Sequence, residues 1–550
     1  MSSSTAVSGS FSVFYGAVVT PVDVSTWKAM PRCLLVVDPS GNIAWMIEHL
    51  EEDTIPEVLA QKGYSATQLV ILRKGEFIIP GFIDTHTHAP QFPNLGLGGE
   101  YELPEWLKEV VFPREAQFED TELAGKVCHE VVRRTLDYGT TTSCYYSSLH
   151  LAATIRLADA THKLGQRAFI GKCNMDRKGE NPDYYVEKDY ETSRDETLTL
   201  ISYIRNLSST SNSHDGAGHG HGHGHGHGHG HGHGHGHGHG HGHKHVREPL
   251  VQPILTPRFA ISCTSDMLYA LRDIADDHDK EYPHEPRMRI QTHIAENVEE
   301  VKRVHELYPK ADSYAGVYDH HGVLRDTTVL AHAVHLKKDE IELIKKRNAG
   351  ISHCPSSNFY LTSGVAPIGR YLDAGIKVGL GTDVGGGYSL SMLNVIQNAS
   401  IASKLLSRKC KTHHALQTES LLPSDGDQPT SPPSTPPSKS TTKHKTHFTN
   451  SKLRIPTLFY LATLGGAEVC NLSHRTGSFC PGKSFDALLV SVLDETGATG
   501  LWGKEAALDN MIPKKKLEEN LERFLFCGDD RNILKVWVQG RLVGGKHFHE

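Results

Sequence analysis

The sequence predicts an α/β protein, a (β/α)8 TIM-like barrel joined to a small β-sandwich built from both chain ends. Three observations predict it. The middle of the chain alternates short apolar strands with stretches of helical spacing, the pattern of βα units around a parallel sheet. Eight such strands can be picked out, ending near His88, Ser143, Gly171, Leu255, His293, His332, His353 and Asp383. Both ends of the chain lack that alternation and read as strands and turns.

The first 80 residues and residues 475–550 together form the expected sandwich. At the N-terminal end Val13-Phe14-Tyr15, Ala17-Val18-Val19, Leu34-Leu35-Val36-Val37 and Ile43-Ala44-Trp45-Met46-Ile47 are strand-like. The cluster Asp38-Pro39-Ser40-Gly41-Asn42 between two of them is turn-forming. At the C-terminal end Ala487–Val492 and Val536–Val543 have the same character. The barrel is expected over residues 81–474. Segments 120–137, 152–164 and 296–307 carry apolar residues at helical spacing and are its expected helices. Two stretches fall outside the pattern and are expected as disordered inserts. Residues 209–248 include a tract in which every second residue from His219 to His243 is histidine, alternating with glycine. It cannot bury apolar area, and is either a metal-binding loop, for storage of zinc or nickel, or a solvated insertion. Residues 407–452 are rich in Ser, Thr, Pro and Lys, and Pro432-Pro433-Ser434-Thr435-Pro436-Pro437 cannot enter helix or sheet core.

Composition narrows the function. The 550 residues are 38% hydrophobic and 22% charged with a net charge of −7, which offers no electrostatic footprint for nucleic acid. No apolar run approaches the ~18 residues of a membrane helix. Met1-Ser2-Ser3-Ser4-Thr5 has neither the basic nor the apolar region of a secretory signal, so a cytoplasmic location is expected. Ten cysteines without a Cys-x-x-Cys pair, Cys33 and Cys128 among them, read as small core residues.

The chemistry-bearing residues sit at the expected strand ends. In Phe82-Ile83-Asp84-Thr85-His86-Thr87-His88 the two histidines are two apart, which on a strand turns both imidazoles to one face. Converging imidazoles suit zinc or iron. His293 ends Arg289-Ile290-Gln291-Thr292-His293 and can be a third ligand; Asp383 ends Val378-Gly379-Leu380-Gly381-Thr382-Asp383 and completes a plausible set. Such a site lowers the pKa of bound water to ~7. Glu296, just past His293, can move a proton beside that water, or can be a first-turn acid complementing a helix dipole. His332, ending Val329-Leu330-Ala331-His332, can ligate or hydrogen-bond the water or the substrate. His353 reads as a supporting or structural histidine. Gly477-Ser478-Phe479-Cys480-Pro481-Gly482-Lys483-Ser484 matches a P-loop string, but a strand follows it instead of preceding it, so it reads as a turn.

Together these segments resemble the amidohydrolase superfamily, through Pro80–His88, His293, His332, Gly381-Thr382-Asp383 and the return Gly482-Lys483-Ser484-Phe485-Asp486-Ala487-Leu488. Within it the chain is similar to the guanine deaminases, through Leu103-Pro104-Glu105-Trp106-Leu107, Val132-Arg133-Arg134-Thr135-Leu136, Gly139-Thr140-Thr141-Thr142, Gly165-Gln166-Arg167-Ala168-Phe169, Thr256-Pro257-Arg258-Phe259, Asp383-Val384-Gly385-Gly386-Gly387-Tyr388-Ser389 and Gly528-Asp529-Asp530-Arg531-Asn532. The likeness covers most of the chain outside the inserts. It implies one zinc per subunit on His86, His88, His293 and Asp383, with no carboxylated lysine bridging a second ion. It implies Glu296, His332 and Asp383 as catalytic residues. The purine is met by Gln91, Arg258 and Phe259 together with His88, His293, Glu296 and Asp383. The implied reaction is hydrolysis of guanine to xanthine and ammonia, a step of purine catabolism, in a homodimer. Ala333 stands where glycine is expected. The alternatives are another ring aminohydrolase acting on adenine, cytosine or a triazine, or a metal-storage protein working through the histidine tract.

Overall fold

The computed structural model describes residues 11–64, 69–211, 249–419, 447–498 and 514–549. The first five strands are β1 (Ser12–Asp23), β2 (Thr26–Val37), β3 (Ile43–Glu48), β4 (Leu69–Ile71) and β5 (Glu76–Pro80). The strand-like segments on either side of Gly16 are one long strand, because β1 continues through a register shift between Gly16 and Val18 instead of ending there. The turn cluster 38–42 does separate β2 from β3.

The barrel follows. Its strands are β6 (Phe82–His88), β7 (Thr140–Tyr146), β8 (Arg167–Gly171), then the two-residue β9 (Cys173–Asn174), then β10 (Val251–Pro257), β11 (Arg289–Ile294), β12 (Thr328–His332), β13 (Gly350–His353) and β14 (Lys377–Leu380). All pair in parallel. The ring closes where Leu380 of β14 meets Asp84 of β6, and β9 is a short extension beside β10. Eight parallel strands in a closed ring are the expected barrel. Helix Thr121–Asp137 shows how the outer layer forms. Asp120 accepts hydrogen bonds from the backbone N–H of Glu122 and Leu123, which caps the helix. Ala124, Cys128, Val131, Val132 and Leu136 recur on one face and are buried.

Three late strands, β15 (Ala487–Ser491), β16 (Ile533–Val538) and β17 (Arg541–Gly544), complete the first sheet in the order β17-β16-β15-β5-β1-β2-β3, with β4 on β1. The strands expected for the sandwich from both chain ends thus belong to one mixed sheet of eight strands. The residues before β15 hydrogen-bond to the β2–β3 turn, Ile43 N–H to Lys483 O and Phe485 N–H to Gly41 O. Inside, Phe14 stacks on Phe485 with centroids 5.1 Å apart and meets Trp537 edge-on at 5.4 Å. The P-loop-like string is this turn: Lys483 Nζ donates to Ser478 Oγ and β15 follows. A buried ion pair joins the two parts, Arg167 on β8 to Asp486 at 3.0 Å.

The expected insert at 407–452 is narrower than composition indicates. Helix Met392–Glu419 runs through its first part, since Lys and Leu sustain a helix where Ser and Thr had suggested a loop. At its other end the Asp373 carboxylate accepts the backbone N–H of Phe448 (2.9 Å) and Thr449 (2.7 Å). Residues 420–446 of that insert, and 212–248 with the histidine tract, lie outside the described residues. Among the described residues no helix is long and apolar enough to cross a membrane. Cys33 and Cys128 are buried free thiols.

Candidate active site

The site lies at the C-terminal ends of the barrel strands. His86 and His88 are on β6, His293 is on β11, His332 ends β12, and Glu296 and Asp383 follow β11 and β14 by two and three residues. The chain leaves these strands through left-handed backbone. Ala295, His332, Ala333 and Asp383 have φ of 48°, 72°, 53° and 49°. Four non-glycine residues in that region at one barrel mouth mark stored strain, which aims the side chains inward.

His86, His88, His293 and Asp383 offer one ligand atom each, all within 4.8 Å of one another. Asp383 Oδ1 lies 3.1 Å from His86 Nε2 and 3.4 Å from His88 Nε2. His293 Nδ1 donates to the carbonyl of Arg258 at 2.6 Å, which leaves its Nε2 with a bare lone pair. That Nε2 faces His88 Nε2 at 3.2 Å. Burial, reinforced by the neighbouring imidazoles, pushes the pKa of His88 and His293 well below the ordinary range, and burial lowers His86 as well. Neutral imidazoles aimed at one point beside a carboxylate fit a single divalent ion, and this donor set suits zinc. Burial would raise the Asp383 carboxyl, but His86, His332 and His88 outweigh it and hold the group well below the usual carboxylate range.

Asp84 supports the ligands. It is fully buried, and its carboxylate accepts the backbone N–H of His86 (3.1 Å) and Thr382 (3.0 Å) and the Thr382 hydroxyl. Burial pushes its pKa up to about 6. Beside the ligands, His332 Nδ1 bonds to Asn358 Oδ1 at 3.0 Å. Its Nε2 has no hydrogen-bond partner and faces Glu296 Oε2 at 3.4 Å and Asp383 Oδ2 at 3.7 Å. Glu296 precedes helix Val298–Leu307, so it is not a first-turn acid. Glu300 has that role and accepts the backbone N–H of Glu296 at 2.8 Å. Burial, then Asp383, then Glu300, raise the Glu296 pKa well above the carboxylate range. Ser363 Oγ donates to its Oε1 at 3.2 Å.

His88, His293, Glu296 and Asp383 open on one shared cavity. His88, Gln91, Arg258, Phe259, His293, Glu296 and Asp383, every residue expected to meet substrate, line it. Leu103, Trp106, Leu107 and Leu361 make the apolar wall. The glycine run after Asp383 is required here, because a Cβ on Gly385 (φ +109°) would lie 2.1 Å from Gln91 Oε1. Arg258 is not free to spend its whole fork on a ligand, since Nη1 and Nη2 bond to Glu115 at 2.7 and 3.2 Å. His353 is buried with its pKa pushed down to about 3 by burial and by His332, and is not among the four ligands. Glu115, Asn358 and Ser363 were not foreseen. An acid or amide in sequence reads as surface, and only burial reveals otherwise.

The chain resembles known proteins along most of its length. The model of the amidohydrolase family matches residues 77–423 and 439–543. The chain is 36% identical over 506 residues to a probable guanine deaminase of Schizosaccharomyces pombe, covering 92% of this chain and 79% of that one. It is 34% identical over 537 residues to the guanine deaminase of Dictyostelium discoideum, covering 96% and 98%. The crystal structure of guanine deaminase from C. acetobutylicum with bound guanine in the active site superposes with a TM-score of 0.71 at 29% identity, covering 97% of this chain and all of that one.

Proposed function

The chain belongs to the amidohydrolase family, and from that premise we propose that it is a zinc-dependent guanine deaminase, converting guanine and water to xanthine and ammonia. The observation that carries the reading is the convergence of His86, His88, His293 and Asp383 within 4.8 Å on a cavity that Glu296, Gln91 and Arg258 also line. The relatives' names supply the substrate.

When bound, zinc supplies Lewis-acid polarisation of water at neutral pH. The residues of the chain do the rest. Gln91 and Arg258 hold the purine edge, and Phe259, Trp106 and Leu103 exclude bulk water around the ring. Glu296 takes a proton from the attacking water and delivers it to a ring nitrogen, so that the amino-bearing carbon accepts the oxygen without building ring charge. His332 Nε2 and Asp383 Oδ2 hold the added oxygen as that carbon becomes tetrahedral. The remaining proton of the added hydroxyl passes to the exocyclic nitrogen, the C–N bond breaks as the C–O bond becomes the new carbonyl, and the nitrogen leaves as ammonia. Glu296 suits this shuttle because its raised pKa lets it hold a proton that an ordinary carboxylate would release.

The same reading makes the protein a cytoplasmic homodimer that engages neither nucleic acid nor membrane. Ammonia release from guanine by purified protein, with metal measured on the same sample, tests the reaction. Adenine, cytosine and a triazine serve as competing substrates. Turnover of guanine with one zinc per chain is expected; no ammonia from guanine at full zinc loading refutes the assignment.

A further inference from the structure

We propose that Glu115 is a positioning residue that fixes the hydrogen-bond polarity of the purine-facing wall, and thereby selects a ring bearing a lactam edge over one bearing an amino group in place of the carbonyl. The inference rests on the reading of this cavity as a guanine site, and adds a residue that never touches the substrate.

Glu115 ends helix Phe112–Glu115 and is 0% exposed. Its carboxylate accepts four hydrogen bonds. Oε1 takes Gln91 Nε2 at 2.8 Å and Arg258 Nη2 at 3.2 Å. Oε2 takes Arg258 Nη1 at 2.7 Å and Tyr185 OH at 2.8 Å. A carboxylate has about four acceptor sites, so Glu115 has no capacity left for a ligand. What it does have is one-way polarity. Beside a guanidinium that is always charged, it can only accept. Gln91 must therefore turn its NH2 toward Glu115. Its carbonyl oxygen, Oε1, is then committed to the other side, and there it is buried without a hydrogen-bond partner. Arg258 gives Glu115 two of its five donors and Nη1 also reaches Met175 Sδ at 3.9 Å, which leaves two.

Gln91 and Arg258 both line the cavity that the metal ligands His88, His293 and Asp383 share. The wall thus has an acceptor, Gln91 Oε1, which lies against Gly385, next to donors, the Arg258 N–H groups not bound by Glu115 or Met175. A lactam edge, H–N–C=O, satisfies both. An edge with a bare ring nitrogen beside an amino group reverses both partners, setting lone pair against carbonyl and N–H against guanidinium. A freely rotating glutamine amide could flip and repair half of that mismatch. Glu115 forbids the flip, because a flipped amide would press its carbonyl against the carboxylate. Only a residue that is buried, saturated and acceptor-only can impose this constraint.

The test uses the zinc-loaded full chain. The substrates are guanine and 2,6-diaminopurine, which carries the same reacting 2-amino group but reverses the adjoining edge. Two variants are compared with wild type. Glu115→Gln can donate to a flipped Gln91, and Gln91→Met removes the amide while leaving the Glu115–Arg258 pair in place. In each, the guanine to 2,6-diaminopurine ratio of kcat/KM is expected to fall roughly 10- to 100-fold, the range set by one buried polar group losing its match. Zinc content is expected to stay at one per chain. Binding of hypoxanthine, a lactam with no amino group to lose, is expected to weaken in parallel. Loss of packing alone lowers both substrates together and keeps the ratio. A wild-type ratio in Gln91→Met, or in a folded Glu115→Gln, overturns the proposal; if Glu115→Gln does not fold, Gln91→Met decides. Failure of the underlying reading looks different: wild-type protein would release no ammonia from guanine, and hypoxanthine binding would still report on the wall.

Discussion

Glu296 and His293 lie three residues apart, and removing each has a different consequence. Glu296 is outside the ligand set but lines the cavity 3.4 Å from His332. Glu296→Gln is expected to keep zinc and lower kcat by roughly 10²- to 10⁴-fold, the usual worth of a positioned proton carrier. His293→Ala is expected to lose zinc and activity together. Metal analysis alongside steady-state kinetics separates the two. Ala333 carries a second prediction. With φ at 53° it pays the left-handed penalty that glycine escapes. Ala333→Gly is expected to stabilise the protein by about 1 kcal/mol in a denaturant titration, which also explains why glycine is the natural choice at this bend.

At the scale of elements, the strands are held in register by groups that touch no substrate. Asp84 on β6 binds the backbone ahead of Asp383, which follows β14, so one carboxylate sets the spacing of two ligand-bearing segments. Asp84→Asn replaces one acceptor atom with a donor facing Thr382. Zinc affinity, read by competition with a chelator, is expected to fall about 10- to 100-fold, as when a group that orients ligands is altered, with little change in the far-ultraviolet spectrum. The order of strands was legible because βα alternation marks the strands, and a histidine lies at or next to the end of four of the eight, at His88, His293, His332 and His353. The left-handed exits at Ala295, His332 and Asp383 were not, because positive φ is rare outside glycine, so the several-fold enrichment of His and Asp there is too weak to mark a single position, and Ala carries no such bias.

Over the whole molecule, a buried ion pair ties barrel to sheet. Arg167 and Asp486 are 0% and 2% exposed. The Asp486 carboxylate also accepts Gln539 N–H and Ser484 Oγ–H, both at 2.7 Å. Burial would raise its pKa, but Arg167 and these donors hold it below the ordinary value of 3.8. A carboxyl depressed in the folded state adds stability above its unfolded pKa and loses it as pH falls through the folded value. Asp486→Asn strands the guanidinium and is expected to cost about 3–5 kcal/mol near neutral pH. The gap from wild type should narrow below about pH 4, where wild type loses the same charge; denaturant midpoints measured from pH 3 to 7 check both. Deleting residues 214–245 is expected to leave guanine turnover and the single zinc unchanged, because His86, His88, His293 and Asp383 already make a four-ligand set; lost zinc or activity would make the histidine tract part of the enzyme.

Sequence alone determined the barrel, the shared sheet and the four residues that meet as a candidate metal cluster. Periodicity and strand-end histidines are local signals, written in neighbouring residues and readable one segment at a time. Only tertiary structure decided that Glu115 faces Arg258 across 143 positions and so takes up two of the donors expected for substrate. It also decided that Asn358 orients His332, and that the sandwich strands from both chain ends form a single sheet with Phe14 packed on Phe485 and Trp537. Those outcomes depend on burial and on which side chains meet, and a carboxylate or an amide carries no mark of either until the chain has folded around it.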